Sequence, residues 1–194
     1  MSDRERWNAR YAQGAYADRT HPSAIVEHCV ANFVQPEGEP KRALDVACGL
    51  GRNASYFGRC GYKAEGWDVS DVAIEQARAR DPSVDWLCVD LLNSPLPAGT
   101  WHLITMVRFV ALDVLQALCE RLSNNGLLVV EQHLKWPQPV AGPGSERFRV
   151  APGELVRVVS AAGLEILHAH DGLLEDPDGV TMAISQVIGK RVAE

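Results

Sequence analysis

The feature that most constrains the fold of this chain is an alternation between short apolar runs and amphipathic stretches. Alternation of this kind is typical of βαβ units, in which helices cover both faces of a mainly parallel sheet. Helical patterns occur at 52–60, 71–80, 112–122 and 153–162. Strand patterns occur at 43–47, 63–68, 84–88, 103–107, 127–132, 164–169 and 181–188. The sequence therefore predicts an α/β fold around a seven-stranded sheet.

The last two strand patterns are joined differently from the others. Residues 175–179 read Glu-Asp-Pro-Asp-Gly, which is rich in turn formers. The segment between the two strands is too short and too broken for a crossover helix, so the strands should pair antiparallel. We therefore expect an antiparallel last strand in an otherwise mostly parallel sheet.

Two irregular segments accompany this pattern. Residues 1–41 contain one helical pattern at 23–33 and a Pro/Gly-rich linker at 36–40, with too few apolar residues for a core. We expect 1–41 to form a helical cap and 42–194 the main domain, together one globular unit. Residues 135–151 are rich in proline and glycine. Loops of this length are uncommon unless they are functional or disordered, which predicts a substrate lid.

Charge and composition exclude several classes of function. The formal charge is −6 and the pI is about 5.5, with Lys and Arg scattered among carboxylates, so a nucleic-acid-binding surface is not expected. No apolar run approaches the ~20 residues that cross a bilayer, and no secretory signal is visible, which predicts a cytoplasmic protein. The five cysteines form no C-x-x-C pair and indicate free thiols, with no metal site.

The strongest local motif lies at residues 44–54, which read Leu-Asp-Val-Ala-Cys-Gly-Leu-Gly-Arg-Asn-Ala. A strand here runs into a glycine turn and then into a helix. Gly49 and Gly51 would let the backbone pass close to a ligand, and the helix start offers unpaired N–H groups. Alone, this G-x-G-x-x-A pattern is moderately specific, because an ordinary strand-to-helix turn produces it too.

Acidic residues accompany the first three strands. Asp45 lies in the first strand, Asp68 ends the second, and Asp90 ends the third. A carboxylate at the position of Asp68 can accept hydrogen bonds from ribose hydroxyls, and one at Asp90 from an exocyclic amine. A single aspartate at a strand end more often caps a turn. Three of them around one glycine loop favour a nucleotide-like ligand.

These motifs and the closing hairpin resemble the class I S-adenosylmethionine-dependent methyltransferases, whose fold is Rossmann-like. The resemblance implies S-adenosylmethionine as cofactor and S-adenosylhomocysteine as product. It implies that Asp45 and Gly49 lie near the methionine moiety, with Asp68 on the ribose and Asp90 on the adenine. The cofactor-binding residues that it implies are Trp7, Arg10, Tyr11, Asp45, Ala47, Cys48, Gly49, Gly51, Asn53, Asp68, Val69, Asp90, Leu91 and Val107. Among these, Trp7 and Tyr11 would close over the ligand, and Arg10 would pair with the methionine carboxylate.

A narrower resemblance concerns the branch that contains the tellurite-resistance and thiopurine methyltransferases. It rests on the short chain, on Trp-Asn-Ala-Arg-Tyr at 7–11 and on Val-Ala-Pro-Gly-Glu-Leu at 150–155. The fourth strand is followed by Met106-Val107-Arg108-Phe109, without the Asn-Pro-Pro-Tyr type of tetrapeptide that grips a planar amine. The resemblance therefore implies a small-molecule acceptor, without a nucleic-acid or membrane partner. The sequence predicts no oligomeric state.

Two polar residues are candidates for the catalytic end of the site. Arg108 follows the fourth strand and could hold an anionic substrate, or it could be a surface arginine. His133 follows the fifth strand and could act as a base, although a lone histidine at a strand end is more often structural. His102 stands where the family usually has an acid, which predicts adjacent backbone amides without their usual acceptor. His168 and His170 share a strand face, but a metal site there lacks a third ligand.

The sequence thus predicts a methyltransferase that acts by in-line displacement. Two alternatives stay open. A cofactor-binding protein without transferase activity would share every cofactor motif. A nicotinamide-dependent oxidoreductase would share the glycine turn and Asp68, but it would explain neither Asp90 nor the closing hairpin.

Overall fold

The structure is a computed structural model that describes residues 1–34, 41–176 and 178–192. The predicted linker at 36–40 and Pro177 of the predicted turn lie outside the described residues. The helices are α1 Asp3–Ala12, α2 Ala24–Phe33, α3 Arg52–Arg59, α4 Asp71–Arg80, α5 Leu112–Cys119 and α6 Glu154–Ala161. The strands are β1 Arg42–Val46, β2 Lys63–Asp68, β3 Asp85–Cys88, β4 Trp101–Val107, β5 Leu122–Leu134, β6 Arg149–Val150, β7 Leu164–Glu175 and β8 Thr181–Arg191.

The strands form one sheet in the order β3-β2-β1-β4-β5-β8-β7, and the two-residue β6 pairs beside β5. Pairs among β1 to β5 are parallel. Strand β8 is inserted between β5 and β7 and is antiparallel to both. The prediction of a mostly parallel sheet with an antiparallel last strand is therefore confirmed.

The core consists of two apolar layers, one on each face of the sheet. Helices α5 and α6 cover the face that carries Leu44, Ile104 and Leu128. Helices α2, α3 and α4 cover the opposite face, which carries the neighbouring residues Ala43 and Leu103. Successive residues of each strand therefore bury themselves in opposite layers, as the near-continuous apolar strand patterns predicted. Burial of one such leucine contributes about 1.5–3 kcal/mol.

Helix α1 was absent from the sequence prediction. It is strongly polar and buries only Tyr11, so it lacks the apolar stripe that identifies a helix. Its start is fixed by a capping box, in which the Ser2 hydroxyl accepts from the Glu5 amide at 3.2 Å and the Glu5 carboxylate accepts from the Ser2 amide at 2.8 Å.

Strand β5 also differs from the prediction, since it begins at Leu122 and not at residue 127. Residues 123–126 read Ser-Asn-Asn-Gly, which predicts a turn. The structure accommodates them through a shift of register against β4 between Trp101 and Leu103. Asn125 adopts a φ of 60° in this irregular stretch, a conformation that asparagine tolerates better than most residues.

A polar cluster joins β1, β2 and β4 near their amino ends. The Glu65 carboxylate accepts from the Trp101 indole N–H at 2.9 Å and from Nε of Arg42 at 3.0 Å. The Arg42 backbone amide donates to Nδ1 of His102 at 3.2 Å. Burial and nearby cations lower the pKa of His102, which keeps the ring neutral and able to accept. The amide therefore lacks the usual acid, as predicted, and the histidine ring accepts its hydrogen bond in place of that acid.

Among the residues described, no helix is long and apolar enough to cross a membrane.

Candidate functional site

A cavity of about 830 Å³ opens at the carboxyl ends of β1, β2 and β4. The glycine loop and the predicted acids line one part of its wall, whereas Arg108, His133 and Met182 line another. Helix α1 and residues 141–145 with Phe148 contribute further walls. This is the edge of a parallel α/β sheet at which ligands bind.

The loop after β1 has the backbone geometry of a close ligand approach. Ala47, Gly49 and Gly51 have φ values of 54°, 55° and 82°. Such angles are unfavourable for alanine, and strain of this kind concentrates at functional sites. A Cβ atom at Gly49 would lie 2.6 Å from the Tyr11 hydroxyl oxygen, so a side chain there would collide with α1.

Gly51 has a role in packing that the sequence did not predict. It does not line the cavity, and a Cβ atom there would overlap the Trp86 ring. The structure thus gives Gly51 a packing role against Trp86, and its contact with the cofactor stays a prediction.

Asp45 is a buried carboxylate with unused hydrogen-bonding capacity. Its side chain lines the cavity, and the residue is 1% exposed. Oδ1 accepts from the Thr105 hydroxyl at 2.7 Å and from Nδ2 of Asn53 at 3.5 Å, whereas Oδ2 has no partner. Burial raises its pKa to about 6. An unpartnered buried oxygen is costly, so it marks a place where a cationic or hydrogen-donating ligand group would fit.

Asn53 lines the cavity as predicted, but its amide is used within the protein. Its Oδ1 accepts from the Ser23 backbone amide at 2.9 Å, while its Nδ2 faces Asp45. The residue thereby joins the start of α2 to β1.

Asp68 is held rigidly at the end of β2. One carboxylate oxygen accepts from the Gly49 amide at 2.8 Å and the other from the Ser70 amide at 2.9 Å. Burial raises its pKa, and these amide hydrogen bonds act in the opposite direction. Because a carboxylate oxygen can accept more than one hydrogen bond, both oxygens can still accept from ribose hydroxyls. Val69 lines the wall beside it.

Asp90 lines the cavity and also caps the turn that follows β3. Its oxygens accept from the Leu92 amide at 3.1 Å and from Nδ2 of Asn93 at 3.0 Å. The turn-capping role that the sequence left open is therefore present. Leu91 and Val89 line the same part of the cavity and make it apolar.

Aromatic residues of α1 lie over the glycine loop. The rings of Trp7 and Tyr11 are stacked with centroids 5.9 Å apart. Burial and the nearby Asp68 raise the pKa of Tyr11 well above its ordinary value, so the phenol stays neutral. The Arg10 guanidinium lies 5.4 Å from the Trp7 ring centroid, and no carboxylate within the described ranges pairs with it.

Helix α1 also contacts the second covering segment. The Arg6 guanidinium lies 5.5 Å from the Phe148 ring centroid, a separation at which a cation and an aromatic face attract. Residues 141–145 belong to the predicted lid, and they line the cavity together with Phe148.

Cys48 lines the cavity but is buried. Burial and the nearby Asp68 and Asp45 raise the pKa of its thiol. The thiolate that a nucleophile requires is therefore scarce at neutral pH.

Arg108 is fixed by three contacts. Its φ is 61°, which turns the residue out of β4. Nε donates to the Glu131 carboxylate at 2.8 Å, and Nη1 lies 3.1 Å from Nε2 of His133 and 3.3 Å from the Met182 sulfur. Glu131 is itself held by Gln186 at 2.6 Å. The guanidinium is thus oriented before any ligand binds.

His133 does not have the properties expected of a general base. Burial and the charge of Arg108 lower its pKa to about 3. Because a guanidinium only donates, Nε2 of His133 accepts, which places the proton on the buried and unpartnered Nδ1. The ring is therefore neutral at physiological pH, and its lone pair is already engaged. This geometry argues against the predicted role as base.

The structure brings every predicted site residue except Gly51 to the cavity. It adds residues that sequence reasoning missed. Arg52 follows the glycine loop directly, so its position was available from the motif. Of the others, Met182 lies in the strand pattern at 181–188, and the rest lie outside the predicted strands and helices. The additional residues include Tyr16, Arg19, Arg52, Phe109, Phe148 and Met182.

His168 and His170 lie outside this cavity, and each has a buried Nε2 without a partner. Among the side chains described, no group of three or more His, Cys, Asp or Glu residues is arranged to hold a metal ion.

Comparisons with known proteins agree with this geometry. Residues 43–126 match the model of a family described as a methyltransferase domain. No curated protein matches the chain. TehB from Haemophilus influenzae is 17% identical with a TM-score of 0.72, covering 94% of this chain and 66% of its own. A TehB-like S-adenosylmethionine-dependent methyltransferase from Corynebacterium glutamicum is 20% identical with a TM-score of 0.65, covering 96% and 99%.

A third similar structure contains the product of the cofactor. It is the magnesium protoporphyrin IX methyltransferase of Synechocystis with bound SAH, which is 12% identical with a TM-score of 0.63 and covers 98% of this chain and 88% of its own.

The fold and the family match confirm the resemblance to the class I S-adenosylmethionine-dependent methyltransferases. The likeness to TehB and to the TehB-like methyltransferase is one of fold, at 17% and 20% identity. These findings support S-adenosylmethionine as the cofactor.

Proposed function

We propose that this protein transfers a methyl group from S-adenosylmethionine to a small-molecule acceptor by in-line displacement. The observation that carries the proposal is the continuity of the cavity. Asp45, Gly49 and Asp68 line the same space as Arg108 and Met182. A donor held by the first group would therefore face an acceptor held near the second.

The residues at the first part of the cavity fit the cofactor. The unpartnered Oδ2 of Asp45 suits the ammonium of the methionine moiety. The fixed carboxylate of Asp68 suits the ribose, and the apolar wall at Leu91 suits the adenine. The close packing of Tyr11 on Gly49 suits a ligand that lies along the loop. In this proposal residues 1–41 act as a cap and 42–194 as the main domain.

When bound, S-adenosylmethionine supplies a methyl group that is already activated by the sulfonium. The chain's task is then to align the acceptor and to exclude water. Alignment of two reactants contributes up to about 7–11 kcal/mol of barrier reduction. Helix α1 and Phe148 cover the cavity and suit the exclusion of water.

The acceptor part of the cavity supports a nucleophile that needs no enzymic base. His133 is neutral and weakly basic, and the fixed cation Arg108 stands beside it. A soft anion such as a thiolate loses no proton during transfer, whereas a hydroxyl or an ammonium does. Arg108 would orient an anionic acceptor in this arrangement.

The test is calorimetric titration of S-adenosylhomocysteine into the native chain, Asp68→Asn and Asp85→Asn. Asp68→Asn removes the charge and keeps one acceptor oxygen, while Asp85 is exposed on β3 and provides the matched control. We expect binding by the native chain and by Asp85→Asn, and a loss of about tenfold or more in Asp68→Asn. Thermal melting shows whether each variant is folded.

Turnover with labelled S-adenosylmethionine then separates the alternatives. Methyl transfer to a thiol or another small acceptor supports the proposal. Binding of S-adenosylhomocysteine without transfer to any acceptor class would favour a binding protein without transferase activity. Binding of NAD in place of S-adenosylhomocysteine would refute the methyltransferase proposal.

A further inference from the structure

Three guanidinium groups lie where the main cavity meets a second, smaller cavity. The smaller cavity has a volume of about 60 Å³. Arg52 and Arg108 line both cavities, as do Arg19 and Met182. Arg52 is the first residue of α3 and Arg108 follows β4, so the two cations approach the junction from different elements.

Arg52 lacks an anionic partner at this junction. It donates to the His21 carbonyl at 3.3 Å and to the Ser23 hydroxyl at 2.9 Å, both of which are neutral acceptors. Within residues 1–34, 41–176 and 178–192, no carboxylate forms an ion pair with it. Burial together with the charges of Arg19 and Arg108 lowers its pKa, while Asp45 and Glu131 act in the opposite direction. The structure therefore holds a half-buried cation that forms no direct ion pair and is influenced by carboxylates only at longer range.

The other two arginines are better compensated. Arg19 forms ion pairs with Asp176 at 3.3 Å and with Asp178 at 2.9 Å. Arg108 pairs with Glu131 through Nε and directs Nη1 to the neutral His133 and Met182. Arg108 thus retains donor capacity toward the junction, whereas the charge of Arg19 is already balanced.

We propose that Arg52, assisted by Arg108, binds a carboxylate at the junction of the two cavities. A planar carboxylate matches the planar donor fork of a guanidinium. Arg52 forms no direct ion pair, but Glu175, Asp176 and Asp178 also line the smaller cavity, so the junction suits at most a monoanion. The carboxylates of Asp45 and Glu131 near Arg52 would oppose a dianion such as phosphate.

The carboxylate has two possible sources, and both rest on the proposed function. Arg52 follows the glycine loop, so its partner could be the methionine carboxylate of the cofactor. Arg52 would then take the role that the family resemblance implied for Arg10, which is exposed on α1. Alternatively, the partner is a carboxylate of the acceptor, held between Arg52 and Arg108. The chemistry is the same, and ligands that differ only in the carboxylate distinguish the two sources.

The experiment measures two preferences in the native chain, Arg52→Gln, Arg10→Gln and Arg59→Gln. The first is the affinity for S-adenosylhomocysteine relative to its decarboxylated analogue. The second is the affinity for benzoate relative to benzamide with the cofactor site saturated by S-adenosylhomocysteine. Arg59 is an exposed arginine at the end of the same helix, and Arg52→Lys retains the charge. Thermal melting of each variant tests for folding.

If the cofactor supplies the carboxylate, the native chain prefers S-adenosylhomocysteine by about tenfold or more, and Arg52→Gln abolishes that preference while Arg10→Gln and Arg59→Gln keep it. If the acceptor supplies it, Arg52→Gln abolishes the preference for benzoate instead. Arg52→Lys retains part of the preference in either case.

The proposal is overturned if Arg52→Gln is folded and leaves both preferences unchanged, or if the native chain has neither. Failure of the proposed function looks different, because the native chain would then bind neither S-adenosylhomocysteine nor its decarboxylated analogue.

Discussion

The burial of Asp45 allows its effect on stability to be calculated, because burial disfavours the ionised carboxylate in the folded protein. Its pKa rises from an ordinary value of 3.8 to about 6. At about 1.4 kcal/mol for each pH unit, ionised Asp45 costs the folded protein roughly 3 kcal/mol above pH 6. Asp45→Asn removes the charge and keeps an oxygen for the Thr105 hydroxyl. The new amide N–H groups offset about 1 kcal/mol, so we expect a gain of about 1–2 kcal/mol at pH 7.5.

The pH dependence gives the prediction its sign. Between pH 4 and 6 the folded chain binds a proton at Asp45 that the unfolded chain does not bind. Protonation of Asp45 therefore increases the free energy of unfolding of the native protein as the pH falls through 6. Asp45→Asn has no group that titrates at this position, so its free energy of unfolding lacks this contribution. Urea unfolding at several pH values should show that Asp45→Asn is more stable than the native protein above pH 6. This difference in the free energy of unfolding should disappear by about pH 4.

Binding should change in the opposite direction to stability. Asp45→Asn should weaken binding of S-adenosylhomocysteine by about tenfold, because the ligand's ammonium loses its charged acceptor. Asp85→Asn provides an exposed control. A less stable Asp45→Asn at pH 7.5, or a difference that does not change with pH, would refute the reasoning.

Two further predictions follow from the packing and from the histidine. Gly66→Ala should lower the free energy of unfolding by about 1–3 kcal/mol, because the new Cβ would overlap the Trp86 ring. Gly144→Ala is the control, since its Cβ would meet open space and should leave stability unchanged. Urea unfolding of both variants measures the difference. The His133 imidazole should show no titration between pH 5 and 8 in an NMR experiment, since its pKa is about 3; a midpoint near 6.5 would contradict the contact with Arg108.

The sequence predicted the sheet well because its strands are buried on both faces. Apolar runs such as those of β1 and β4 can be recognised as strands from the sequence alone, without knowledge of tertiary contacts. Helix α1 was not predicted because it lacks an apolar stripe, although Ser2 and Glu5 carry a capping-box signature. The start of β5 was not predicted because its Asn-Asn-Gly sequence favours a turn, and the strand reaches back to Leu122 only through the pairing of that residue with Trp101 of β4.

The site was predictable where a motif fixes the backbone and unpredictable where distant segments meet. Asp45, Asp68 and Asp90 follow from strand ends. The packing of Gly51 on Trp86 depends on a residue 35 positions away in the sequence, which no local pattern indicates. The neutral state of His133 depends likewise on burial and on Arg108. Local sequence thus predicted which residues line the cavity better than it predicted their protonation.

The polar cluster of Glu65, Trp101 and Arg42 has a consequence for how this chain tolerates change. It ties the strands together at the edge of the sheet away from the cavity. Phe109 and Phe148, by contrast, reach the cavity from outside the strands. Random libraries that vary these two positions and keep the cluster intact should therefore yield many folded variants. Acceptor preference should differ among these variants, while the strand order stays the same.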